Sequence, residues 1–110
     1  MKALLVTTDL MISSHAEGAA KRQAALLNVA SESQCLERIQ SGVFDQVIID
    51  LGTWSGELQL MRQLCPSTAK LVAFGPHVHK AKLDAARAAG FDLVLSRGEF
   101  HARVDQLLAG

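Results

Sequence analysis

Five short apolar runs rich in β-branched residues alternate along the chain with five amphipathic runs, and this alternation leaves few folds open. The apolar runs are ALLV (Ala3 to Val6), ALLNV (Ala25 to Val29), QVIID (Gln46 to Asp50), KLVAF (Lys70 to Phe74) and FDLVL (Phe91 to Leu95). Each has the length of a strand. Within a run successive positions are apolar rather than every second one, so both faces of the strand must be covered. Helices above and below provide that cover, and the same helices, used as crossovers, make neighbouring strands parallel.

The intervening stretches carry helix signals. SSHAEGAAKRQ places Ser14 three residues before Glu17, a capping-box spacing that predicts a first helix starting there. SESQCLERIQSG offers Ser31 or Ser33 as cap, puts Cys35, Leu36 and Ile39 at helical spacing, and ends at Gly42. GELQLMRQLCP carries Leu58, Met61, Leu64 and Cys65 on one stripe and stops at Pro66. HKAKLDAARAAG ends at Gly90 and FHARVDQLLAG at Gly110. Connections are short, as α/β units prefer. The expected fold class is α/β, a doubly wound five-stranded parallel sheet with helices on both faces. With right-handed crossovers, the flavodoxin-like strand order 2-1-3-4-5 suits a five-unit chain. Its 110 residues are read as one domain, 1–110, which at this size buries about 60–70% of the unfolded surface.

Charge adds little. Eleven basic residues balance eleven acidic ones and neither sign forms a block, which argues against nucleic acid or an anionic membrane as partner. No apolar run approaches the roughly 20 residues of a membrane span, and the N-terminus lacks the pattern of a secretory signal, so a cytoplasmic location is expected. Cys35 and Cys65 form no CxxC pair and read as buried apolar residues in a reducing compartment.

In a sheet of this kind ligands bind beyond the carboxyl ends of the strands, near the switch point between the first and third. The residues there are Thr7, Thr8 and Asp9, then Asp50, Leu51 and Gly52, then Gly75, Pro76 and His77, then Ser96 and Arg97. Asp9 and Asp50 are the two carboxylates at the switch point. In length, in its five β/α units, in VIIDL and in AARAAGFDLVLSR, the chain resembles the receiver domains of bacterial two-component response regulators. The resemblance implies a signal-transduction module in which Asp50 stands at the phosphoacceptor position. It also implies an acidic pair for Mg²⁺ after the first strand, a Thr or Ser after the fourth and a Lys after the fifth. Here Thr7 and Thr8 stand at the acidic pair, Phe74 and Gly75 at the hydroxyl and Ser96 at the lysine. A register shift of one residue lets Asp9 supply one carboxylate. Arg97 follows Ser96, but adjacent strand residues point to opposite faces, so its guanidinium need not reach the pocket. Trp54 occupies a remodelled loop after Asp50.

These departures give the expectation of a degenerate pseudo-receiver. It would be a non-enzymatic protein–protein interaction module with phosphorylation at Asp50 absent or weak and no resident cofactor. Its interaction face would include Lys80, Lys82, Arg87 and Trp54, with a homodimer through the region from fourth to fifth helix, as the resemblance implies. Trp54 could equally cover the end of the sheet. The alternative is a Mg²⁺-dependent phosphoacceptor using Asp50, with Asp9 and the Thr7 and Thr8 hydroxyls near the ion. A third reading takes TTDLMISS as a hydroxyl-rich phosphate-binding loop of a small flavodoxin-like ligand binder. His77, His79 and His101 raise a weak metal reading, without a Cys or acid at a familiar spacing.

Overall fold

A computed structural model describes residues 1–110. The elements in chain order are β1 (Lys2–Val6), α1 (Leu10–Arg22), β2 (Leu26–Ala30), α2 (Glu32–Ser41), β3 (Gln46–Asp50), α3 (Leu58–Leu64), β4 (Lys70–Gly75), α4 (Lys80–Ala88), β5 (Leu93–Ser96) and α5 (Arg97–Leu108). All strands are parallel in one sheet of order β2-β1-β3-β4-β5, the doubly wound arrangement that the alternating pattern predicts. No helix is long and apolar enough to cross a membrane.

The sheet separates two apolar layers. On one side Val47, Ile49 and Leu71 meet Cys35 and Ile39 of α2, Met61 of α3 and Leu83 and Ala86 of α4. On the other, Ile48, Val72 and Phe74 meet Ile12, Ala16 and Ala19 of α1 and Phe100, Val104 and Leu108 of α5. Every residue of β3 is buried, as its run of apolar positions requires. Because side chains alternate along a strand, Gln46 and Asp50 at its two ends share the α1/α5 face with Ile48. Both cysteines are free and buried in the α2–α4 layer, and burial pushes the Cys35 thiol up to about 12.

The helix starts depart from expectation in two places. Helix α1 begins at Leu10, not near Ser14, because Asp9 is its cap: Asp9 Oδ1 accepts the N–H groups of Met11 (2.9 Å) and Ile12 (3.3 Å). Helix α5 begins at Arg97, three residues ahead of Phe100, because Ser96 and Glu99 form a capping box. Strands β2 and β5 also shift towards the C-terminus relative to ALLNV and FDLVL. Phe91 lies outside β5 and packs in the α2–α4 layer. Elsewhere the punctuation holds: Ser31 caps α2, Gly42 ends it, and Gly90, at φ +88°, turns the chain out of α4 as only glycine does without strain.

The ring of Phe74 on β4 stacks on that of Phe100 on α5, with centroids 4.0 Å apart and planes 9° from parallel. Both residues are fully buried. Phe100→Ala should therefore cost about 3–5 kcal/mol in urea-induced unfolding, because it leaves a cavity under α5; a loss below about 1 kcal/mol would show that α5 docks without this stack.

Candidate functional site

The carboxyl ends of β1 and β3 place Thr7 beside Asp50, since Val6 pairs with Ile49 one residue earlier. Asp50 is 5% exposed and both its oxygens are bonded. The Thr7 hydroxyl donates to Oδ2 at 2.7 Å, and the Gly52 N–H donates to Oδ1 at 2.9 Å. Burial pushes the Asp50 carboxyl above its ordinary range, while the bonds from Thr7 and Gly52 pull it back in part. Gly52 leaves little spare room, since a Cβ there would stand 3.1 Å from Asp50 Oδ1.

Asp9 continues the network. Its own N–H donates to Thr7 Oγ1 at 3.1 Å, so the hydroxyl links the two strand ends. Asp9 Oδ1 caps α1, and Oδ2 accepts Arg97 Nη2 at 2.8 Å. The Ile12 N–H, aided by those of Met11 and Arg97, holds Asp9 below the usual carboxylate range. Arg97 thus does reach the site, contrary to the expectation drawn from strand alternation. The capping box makes it the first residue of a helix, so alternation no longer governs its direction. Ser96, at the expected lysine position, is that box's cap, its Oγ accepting from the Glu99 N–H.

The remaining candidates divide. Thr8 is exposed and its side chain makes no hydrogen bond, so it does not join Thr7 at Asp50. Phe74, beside Asp50 in the register, points into the α1/α5 layer against Phe100. Trp54 packs half-buried against the opposite layer and donates its indole N–H to Gly56 O at 3.0 Å. Lys82 extends from α4 to the same loop, donating to Leu51 O (3.0 Å) and Trp54 O (3.3 Å). From α2, Glu32 accepts the Ser55 N–H at 2.8 Å as well as its hydroxyl. The β3–α3 loop is therefore tied on both sides, an arrangement the sequence reading did not anticipate. Lys80 is exposed on α4, and Arg87 pairs with Asp84 at 3.0 Å. His77, His79 and His101 are exposed, and His101 lies against His15 of α1, ring centroids 4.6 Å apart. Burial, with His15 nearby, lowers the His101 pKa.

A divalent ion of the Mg²⁺ class wants several anionic or carbonyl oxygens free to surround it. Asp9 already has a guanidinium as counter-charge and helix amides as donors, and Asp50 is closed in by Thr7 and Gly52. These residues do not fit such an ion. The same Asp9 contacts occupy the start of α1, so the amides that would hold a phosphate in TTDLMISS already hold a carboxylate.

No protein-family model matches the sequence, and no curated protein does. Solved structures do match. A response regulator from Burkholderia pseudomallei, with a phosphorylated aspartic acid, calcium ion and citrate, superposes at a TM-score of 0.80 with 19% identity, over 98% of this chain and 64% of that one. The fold is that of a receiver domain. An orphan response regulator of H. pylori gives a TM-score of 0.78 at 14% identity, covering 98% of this chain and 96% of the other. An atypical orphan response regulator with a phosphorylation-independent regulatory mechanism gives 0.69 at 14% identity, covering 98% and 95%.

Because burial raises the carboxyl of Asp50, its ionised form is the costly one in the folded state, and the cost is felt above the unfolded value of about 3.8. Asp50→Asn removes that cost while an amide can still accept from Gly52 and donate to Thr7. Thermal unfolding should show a higher Tm for Asp50→Asn at pH 7, with the gain shrinking as the pH falls towards 4 and the native carboxyl takes up its proton. A gain that grows on acidification would reverse the sign.

Proposed function

We propose that the protein is a receiver-like signalling module that acts through protein–protein contact, with phosphorylation at Asp50 absent or weak. The observation that carries this reading is the Arg97–Asp9 pair, 2.8 Å apart at the mouth of the site. Phosphoryl transfer to a carboxylate needs a free nucleophilic oxygen, a cation on the phosphoryl oxygens and hydroxyl or ammonium donors to the product. Here the one additional carboxylate that could hold the cation is paired with an arginine. Ser96 caps a helix instead of supplying an ammonium, and Gly75 has no side chain to donate. A phosphoryl group on Asp50 would also displace the Thr7 or Gly52 bond within a tied loop.

The fold supports a signalling role, and the orphan and atypical response regulators of like shape make a phosphorylation-independent member reasonable. For contact we assign the face running from α4 through β5 to α5. Lys80 and Arg87 are exposed cations on its α4 part, and Lys82 and Trp54 meet at the β3–α3 loop beside it. A beryllofluoride-activated receiver domain of like fold is a dimer, at a TM-score of 0.76 and 13% identity over 97% of this chain and 95% of the other, which makes a second copy the first partner to test.

Incubation with acetyl phosphate and Mg²⁺, followed by intact-mass measurement, should leave the mass unchanged, and sedimentation should be the same with and without the phosphodonor. A gain of one phosphoryl group that is lost in Asp50→Asn would establish the Mg²⁺-dependent phosphoacceptor in its place. Double charge reversal at Lys80 and Arg87 should weaken self-association in the same sedimentation experiment; unchanged association would remove the α4 face from the proposal.

A further inference from the structure

A concavity lies at the opposite end of the sheet from Asp50. It is a cavity of about 590 Å³ on the α1/α5 face, built on the first residues of β3, β4 and β5 and roofed by the second half of α5. Gln46 contributes to its floor. This residue is 2% exposed, and its Oε1 is the one buried side-chain polar atom in the protein with no hydrogen-bond partner. A buried carbonyl oxygen without a donor is unusual, and turning the amide about its last torsion would present this oxygen to a donor in the cavity. Lys70 and Arg103 stand on the walls, and neither has a carboxylate within ion-pair distance: the ion pairs of the molecule use Arg22, Arg62, Arg87 and Arg97. Leu93 and Leu107 line it with apolar surface.

We propose that this cavity binds a small organic monocarboxylate that also carries a hydroxyl group. The carboxylate would lie between Lys70 and Arg103, whose fork matches two oxygens at once. The hydroxyl would donate to Gln46 Oε1, brought to the cavity by rotation about the last side-chain torsion, which is broad. A short hydrocarbon body would rest on Leu93 and Leu107. Asp45, also on the wall, already accepts the Lys2 N–H at 2.8 Å and repels a second carboxylate, which favours monoacids. The site is independent of the chemistry at Asp50, so failure of either leaves the other standing.

The test is a titration of ¹⁵N-labelled protein followed by amide chemical shifts. Met1 and Gly110 also line the cavity, so no residues are added at either end. Mandelate has the acid, the hydroxyl and the apolar body; phenylacetate lacks the hydroxyl and benzyl alcohol lacks the acid. Saturable shifts confined to Gln46, Lys70, Leu93, Arg103 and Leu107 are expected with mandelate, with roughly tenfold weaker binding of phenylacetate and none of benzyl alcohol. Arg103 is exposed, so Arg103→Gln should fold normally and weaken mandelate roughly tenfold. Gln46→Leu should bring mandelate down to the level of phenylacetate. Absence of saturation by about 20 mM mandelate, shifts centred on other residues, or equal affinity in Arg103→Gln would each overturn the assignment.

Discussion

The structure depends on the double burial of β3. A central strand whose every residue is covered must have helices on both sides, and parallel crossovers then bring polar groups together at the two ends of the sheet. Both polar residues of that strand sit at its ends and on one face. Asp50 closes the carboxyl end and Gln46 opens the amino end, so one geometric constraint sets a buried polar side chain at each end of the sheet.

At the carboxyl end the polar side chains are bonded to one another and to the helix starts. Thr7 bridges β1 to β3, Asp9 caps α1 and pairs with Arg97, and Ser96 is committed to the start of α5. A carboxylate and an arginine in contact are a weak source of stability at a surface. They nevertheless balance the charge at Asp9 within the protein. The likeness in shape to receiver domains with less than 20% identity fits a fold that tolerates wide change at its strand ends.

Much of the fold was legible in the sequence because it rests on local signals: consecutive apolar positions in the strands and glycine or serine at helix ends. The errors came where two local signals competed. Ser14 and Glu17 have capping-box spacing, but Asp9 lies earlier and its carboxylate takes the amides of Met11 and Ile12. At the site, Asp50 could be placed from the VIIDL run, whereas the Arg97–Asp9 contact joins residues 88 positions apart and has no local trace. One clue was available: Ser96 and Glu99 have the S-x-x-E spacing, which would have set Arg97 at a helix start. The ties from Glu32 and Lys82 to the β3–α3 loop were out of reach for the same reason, since they depend on which helices flank that loop in space.

Lys82 also bears on how the loop after Asp50 is held. Its ammonium fastens α4 to the loop after Asp50, while Glu32 fastens that loop to α2, so three consecutive crossover units are clasped around one strand end. A clasp of this sort spreads the support of one loop over two helices. Removing either the α2 tie or the α4 tie alone would leave the other to hold the loop.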